Sequence, residues 1–215
     1  MTRARLLTLT CSLAAVSALG CDRGPDLLEG QSEASSAPIT SLSEALTSDA
    51  PAEAAEVAAS GVPGIAWQTP TAWTQQPPSN AMRLAQWVLP GTEGSGEAQC
   101  ALFSFPGGGS IEANIGRWIA QFEQPDGSES AEHAERMTLD VQGVDVNLVQ
   151  VTGTFLSPDP SMRGPVDPRP DHALFAAIFE TTPSPHFLKC TGPRKTIGDR
   201  ALELSTFVTS FRFEG

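Results

Sequence analysis

The chain has 215 residues, of which 13 are basic and 25 are acidic, and its formal charge at pH 7 is −12. This acidic balance argues against nucleic acid, and against an anionic membrane surface, as partners bound by charge alone. The length leaves room for one ordinary domain once an N-terminal segment is set aside.

The N-terminal residues indicate a secretion signal. Arg3 and Arg5 form a basic region, and residues 6–19 form an apolar run that ends in small residues before Cys21. The run has about 14 residues, whereas a helix needs roughly 20 to cross the hydrocarbon core of a bilayer. The segment therefore predicts export rather than a permanent membrane span.

Residues 18–21, Ala-Leu-Gly-Cys, resemble the lipobox of bacterial lipoproteins, where a peptidase cuts before a lipidated cysteine. The resemblance implies a signal peptide over residues 1–20, a lipid on Cys21, and a lipid-anchored envelope protein on the periplasmic or outer-surface side. The family prefers Leu where this chain has Ala18. An ordinary signal peptidase also accepts Ala18 and Gly20, so a soluble periplasmic protein with a free Cys21 stays open.

The next segment has the composition of a disordered linker. Residues 22–60 contain eight acidic residues, one base and no aromatic residue, so they offer little apolar surface to bury. We expect lipidated Cys21 and an acidic linker over residues 21–60, followed by a single domain over residues 61–215. The linker would act as a spacer between the membrane and that domain.

The cysteine count is consistent with lipidation of Cys21. The mature chain has Cys21, Cys100 and Cys190, and removing Cys21 for lipid leaves one pair. In an oxidising compartment Cys100 and Cys190 can form a disulfide if their strands are neighbours. Two unbonded cysteines that pack as small apolar side chains remain the alternative.

The domain begins with short extended runs. Ile65–Gln68, Met82–Leu89 and Ala98–Phe105 are predicted strands separated by Pro- and Gly-rich turns, a pattern typical of antiparallel pairing. Trp67 and Trp73 flank a tight turn. We expect both rings to be buried, with a ligand-stacking platform as the alternative.

A glycine turn at 107–109 and a helix opened by Ser110 follow the third strand. The spacing predicts a helix that reaches Phe122, with Asn114, Arg117 and Gln121 on a second face. Because Arg117 and Gln121 lie one turn apart, they are candidate recognition residues that grip a carboxylate; a surface salt bridge is the alternative for Arg117. The apolar stripe of the helix consists of Ile111, Ile115, Trp118, Ile119 and Phe122.

A loop or irregular turn over 128–135 precedes a predicted hairpin. Its strands are 136–141 and 144–155, joined at Gln142 and Gly143. Residues 156–170 contain five prolines and predict a long loop, either mobile or functional.

The last part of the chain predicts two strands and a helix. Residues 172–180 are almost continuously apolar, as in a strand buried on both faces. Residues 185–191 predict a further strand. An amphipathic helix follows, with a stripe of Ile197, Ala201, Leu204, Val208 and Phe211. Together these elements predict an α+β domain, an antiparallel sheet with helices packed on it.

Two resemblances extend this prediction. The order of elements and the segment IAWQTPTAW (65–73) resemble the PsbP-like fold, which implies an α/β/α sandwich. GGGSIEANIGRWIAQFEQPDG (107–127), the turn near Gly143 and FLKCTGPRKTIGD (187–199) resemble uncharacterised envelope lipoproteins of planctomycete-type and related bacteria. The second resemblance implies a location but no activity.

The sequence contains no recognisable catalytic motif. The glycines lack the Lys-Ser/Thr of a phosphate-binding loop, no G-x-S-x-G frame is present, and the three histidines are scattered. We therefore expect no enzyme, no cofactor and no metal site. The expected function is a non-catalytic binding or accessory module for another envelope component, and the alternative is a carrier for a small anionic or apolar ligand. A deep cavity lined by Trp67, Trp73 or Trp118 would favour the carrier. A filled core with an exposed apolar patch would favour the module.

Overall fold

A computed structural model describes residues 62–104, 106–157 and 166–214. The predictions of a signal peptide over 1–20, of lipid on Cys21 and of a linker to residue 60 lie outside the described residues. Phe105 and the centre of the Pro-rich segment, 158–165, lie outside them as well.

The described residues form ten strands and three α-helices. In chain order they are β1 (Ile65–Ala66), β2 (Thr74–Gln76), β3 (Arg83–Leu89), β4 (Ala98–Ser104), α1 (Ile111–Ile119), β5 (Phe122–Glu123), β6 (Glu135–Val141), β7 (Val144–Ser157), β8 (Asp167–Phe179), β9 (His186–Pro193), α2 (Arg194–Asp199), α3 (Ala201–Thr209) and β10 (Arg212–Phe213).

Most strands form one antiparallel sheet. Its order is β2-β3-β4-β9-β8-β7-β5, with β6 also paired to β7, and β1 pairs separately with β10. The predicted hairpin is β6 and β7, which turn at Gln142 and Gly143, both with positive φ. The predicted α+β class, an antiparallel sheet with packed helices, is confirmed.

Strand β8 is buried on both faces, as its sequence predicts. Phe175 and Phe179 belong to one apolar cluster, which also contains Phe207 and Phe211 from the C-terminal part of the chain. Leu174, Ala176 and Ile178 alternate with them and belong to a second cluster. In that cluster they are joined by Ile115 and Ile119 of α1. Helices therefore cover both faces of the sheet, which is an α/β/α arrangement.

The rings of Trp67, Trp73 and Trp87 lie in the first cluster, together with Cys100 and Cys190. Trp67 and Trp73 are 2% and 6% exposed, so the expected burial of both rings is confirmed. Cys100 of β4 lies directly opposite Cys190 of β9, and the two form a disulfide. The prediction of this pair required neighbouring strands, and β4 and β9 are neighbours.

Two segments differ from the predictions. The helix ends at Ile119 rather than Phe122, because Phe122 and Glu123 pair with Phe155 and Thr154 of β7. Thr74–Gln76, which the sequence places in a Pro-rich turn, is an exposed edge strand on β3. The predicted loop or irregular turn at 128–135 contains a 3₁₀ turn, Ser130–His133.

The predicted loop over 156–170 is longer than the segment that separates β7 from β8. Strand β7 continues to Ser157 and β8 begins at Asp167, with Pro168 opposite Leu156. Strand β9 pairs with β8 only from His172 onward, so the prolines have β7 on one side and no paired strand on the other among the described residues. Proline is tolerated at such an edge because no ladder hydrogen bond needs its missing N–H.

The final helix is also divided. The predicted stripe from Ile197 to Phe211 falls on α2 and α3, which are separated at Arg200, where φ is −97°. Phe211 follows α3 and is fully buried. The side chains of the stripe are still buried, although the backbone is not one continuous helix.

Candidate functional site: a cationic depression beside helix α1

Helix α1 covers only part of its face of the sheet. Ile115 and Ile119 belong to a cluster with side chains of β7, β8 and β9. An open depression of about 230 Å³ lies where α1 meets β4 and β9. Its lining residues are Met82, Phe103, Asn114, Arg117, Trp118, Gln121, Phe187 and Lys189.

Both recognition residues predicted from the sequence, Arg117 and Gln121, line this depression. The first turn of α1 positions Arg117. Ser110 caps the helix by accepting a hydrogen bond from the Ala113 N–H. Asn114, which is 2% exposed, donates from Nδ2 to the carbonyl oxygens of Gly108 (2.8 Å) and Ser110 (2.9 Å). Its Oδ1 accepts a hydrogen bond from the Arg117 guanidinium.

Lys189 is the second cation of the site, and it reaches the depression from the sheet. Alternation along β9 places it on the same face as Phe187, and its register partners on β4 and β8 are Ala101 and Ala176. The two alanines leave room for a long side chain. Lys189 Nζ donates a hydrogen bond to Gln121 Oε1 and lies 5.6 Å from the centre of the Phe155 ring.

The surroundings of Lys189 affect its protonation. Removal of the ammonium group from water lowers its pKa from 10.5 to about 8. Lys189 therefore remains mostly protonated at neutral pH while it is partly buried.

Arg83 supplies a third cation at the border of the depression. Its guanidinium carbon lies 5.7 Å from the centre of the Phe103 ring, and Nη1 donates to Gln86 Oε1 at 2.8 Å. The Nε atom of Arg83 is buried and has no hydrogen-bond partner.

No carboxylate is paired with these three cations within the part of the chain that the structure describes. The six ion pairs found there use Arg136, Arg169, Arg194, Lys195 and Arg200 instead. None of the eight lining residues is acidic. The depression is therefore a locally positive site on a strongly acidic chain.

The walls of the depression are apolar. Trp118 and Phe187 pack edge to face with ring centres 6.2 Å apart, and Phe103 adds a third ring. Met82 is 65% exposed, the largest exposure among the large apolar side chains of the described residues. Positive charge and apolar surface are thus combined in one small region.

Sequence reasoning found Arg117 and Gln121 but missed Lys189, although the pattern held a signal for it. Phe187 and Lys189 alternate with Leu188 and Cys190, so one face of this strand is Phe-x-Lys. Strand β9 lies between β4, which carries the disulfide partner Cys100, and the doubly buried β8. The stem of a lysine on such a strand is therefore expected to be partly buried. Asn114 lacked a comparable signal, because the burial of its amide depends on how the glycine turn folds.

His133, His172 and His186 lie apart, each with a different hydrogen-bond partner. Cys190 is in the disulfide, so it cannot pair with His186 as a thiol. No group of three metal-ligating side chains occurs among residues 62–104, 106–157 and 166–214. Over the same ranges, no helix is both long and apolar enough to span a bilayer.

Comparisons with known proteins concern the fold. No protein-family model and no curated protein matches the chain. A protein of unknown function from Pseudomonas aeruginosa is similar in structure, with 11% identity and a TM-score of 0.41 over 63% of this chain and 86% of its own. Cyanobacterial PsbP (CyanoP) from Synechocystis sp. PCC 6803 is similar with 9% identity and a TM-score of 0.42, over 70% of this chain and 86% of its own. A PsbP structure is thus among the folds that this chain is similar to.

Replacing Lys189 with Met is expected to raise the free energy of unfolding at neutral pH. The unfolded chain holds the Lys189 proton up to pH 10.5, whereas the folded chain releases it near pH 8. Stability of the unmodified protein therefore increases with pH over this window. The advantage of Lys189→Met, on the order of 2 kcal/mol at neutral pH, should shrink as the pH rises from 8 to 10.5. Urea denaturation of the oxidised chain across this range measures it.

Lys195→Met is the matched control. Lys195 is exposed and paired with Glu93 and Asp199, so its replacement should change stability little. If Lys189→Met were less stable than the unmodified chain at neutral pH, Lys189 would be a stabilising residue, and a binding site maintained at a cost in stability would be contradicted.

Proposed function

We propose that this protein is a lipid-anchored cell-envelope protein, of the planctomycete-type kind its motifs resemble, whose PsbP-like domain is a non-catalytic binding or accessory module for another envelope component. The depression beside α1 is its binding site. The observation that carries this proposal is a group of three cations that have no carboxylate partner among the described residues and that lie against apolar walls beside α1.

The size and shape of the site favour a module over a carrier. Trp67 and Trp73 are packed into the core, and Trp118 lines the depression, which is open to solvent rather than deep. The depression holds about 230 Å³ and opens to solvent, whereas pockets for whole small molecules typically enclose about 300–1,000 Å³. A volume of this size suits one or two side chains of a larger partner.

A carrier for a small anionic ligand is the second candidate. The observation in its favour is Lys189, a partly buried ammonium whose hydrogen-bond partner is the neutral Gln121. Such a group suits any small anion that fits the depression. The acidic balance of the whole chain disfavours nucleic acid in either case.

Membrane attachment is tested by Cys21→Ser. Lipid on Cys21 would be the only link to the membrane under this proposal, and the acidic linker would let the domain reach its partner. Fractionation of the host cell should find the unmodified protein in the membrane fraction and Cys21→Ser in the soluble fraction. Continued membrane association of Cys21→Ser would contradict the lipid anchor.

The binding module is tested by site-specific photocrosslinking in intact cells. We expect p-benzoylphenylalanine in place of Met82 to crosslink one defined envelope protein, because Met82 is exposed at the depression. Adding Arg117→Ala should abolish the adduct. Leu202 of α3 is the control position, since it is also apolar and exposed, at 40%, but belongs to the opposite helix layer. Equal adducts from positions 82 and 202, or none from position 82, would contradict the proposal.

A further inference from the structure

We infer that the depression beside α1 recognises a protein segment in which a glutamate or aspartate side chain adjoins a large apolar side chain. The carboxylate binds between Lys189 and Arg117, and the apolar side chain packs on Phe103, Trp118 and Met82. This inference rests on the proposed binding module and adds the chemistry of the group that the module recognises.

The unused hydrogen-bond donors of the site argue for an anion. A lysine ammonium has three N–H donors and a guanidinium has five. Lys189 donates to Gln121, and Arg117 donates to Asn114. Both partners are neutral amides, so each cation keeps donors and its full charge for a ligand. The other long cations of the described sheet and helices mostly have carboxylate partners, as in the pairs Arg136–Glu112 and Arg194–Asp171.

The geometry of the carboxamides supports the same conclusion. The side-chain oxygen of Gln121 accepts a hydrogen bond from Lys189, and that of Asn114 accepts one from Arg117. Both amide oxygens therefore already face a positive charge. An entering carboxylate can accept from the remaining N–H groups without breaking either hydrogen bond. The cations are therefore positioned before the ligand arrives, which lowers the entropy cost of binding.

A simple inorganic anion would not use the apolar walls of the depression and is therefore a poorer ligand than an acid next to an apolar group. Phe103 and Trp118 are half-buried rings at the depression, Phe187 is buried beneath them, and Met82 extends beside them into solvent. Burial of apolar area contributes about 25 cal/mol for each Å² removed from water. A ligand that carries only charge leaves this surface exposed, whereas an acidic side chain next to an aromatic one covers it.

The surroundings of the depression suit a chain segment that lies across it. Phe103 of β4 packs against the cluster of α1, and the Arg83 guanidinium carbon lies 5.7 Å from the centre of the Phe103 ring. Because the depression is open to solvent, a segment can cross it with one acidic side chain turned inward. We therefore commit to a side-chain carboxylate rather than a chain end.

Calorimetric titration of the full mature chain with synthetic peptides tests this inference. The probe is acetyl-Gly-Ala-Glu-Phe-Ala-amide, whose only carboxylate is the Glu side chain, and its isostere has Gln at that position. We expect the Glu peptide to bind about 10-fold more tightly than the Gln peptide, the scale of one charged hydrogen-bond pair. Lys189→Met should reduce the ratio to about 2-fold or less. Arg117→Ala, a change at an exposed position, should also reduce it, and Lys195→Met should leave it unchanged.

The following results would overturn the inference. One is equal affinity for the Glu and Gln peptides, and another is a ratio that persists in Lys189→Met. The third is free 3-phenylpropionate binding as tightly as the Glu peptide, which would assign the site to a small acid. Absence of peptide binding with a Met82 crosslink still present would reject the carboxylate chemistry alone, whereas loss of that crosslink would reject the binding module itself.

Discussion

The double burial of strand β8 is the constraint on which the rest of the structure depends. Side chains from Ala173 to Phe179 are buried on both faces, so each face of the sheet needs its own cover. Helices α2 and α3, whose apolar side chains belong to the first cluster, cover one face of the sheet. On the other face the cover is the nine-residue helix α1. A helix is about 10 Å wide and strands lie about 4.8 Å apart, so one short helix covers only two or three strands. The depression lies at the margin of that cover.

The polar chemistry of the site follows from this partial cover. Lys189 lies on the covered strand β9, where Ala101 and Ala176 leave space beneath the helix, and its ammonium points to the margin and to Gln121. Loss of water contact disfavours its charged form. A lysine that served the fold alone would be better replaced by an apolar residue of the same length, because a desolvated charge without a counter-ion costs stability. This cost in stability is why we propose that Lys189 serves a ligand.

Much of the fold could be predicted from the sequence because hydrophobic periodicity records burial directly. The continuous apolar run of β8 predicted burial on both faces, and the stripe of α1 predicted Ile115 and Ile119 as its packing residues. The ends of elements were harder. Phe122 fits the apolar stripe of helix α1, yet it forms a short strand. The strand depends on pairing with Phe155, a long-range interaction that the local sequence pattern does not record. The start of β8 was also hard to predict, because its prolines suggest a loop. This part of the strand pairs with β7 on one side and reaches β9 only from His172 onward.

The candidate site was predictable only in part. Arg117 and Gln121 could be placed on one helix face from their spacing, but the cation that completes the site comes from β9, 68 residues beyond Gln121. The most direct test of the account is a ¹³C NMR titration of the Lys189 side chain in the full mature chain, with and without the Glu peptide. We expect a pKa near 8 in the free protein and a clear rise when the carboxylate binds, since an adjacent anion favours the protonated form. A pKa near the ordinary 10.5 in the free protein, or a value that the bound peptide leaves unchanged, would contradict it.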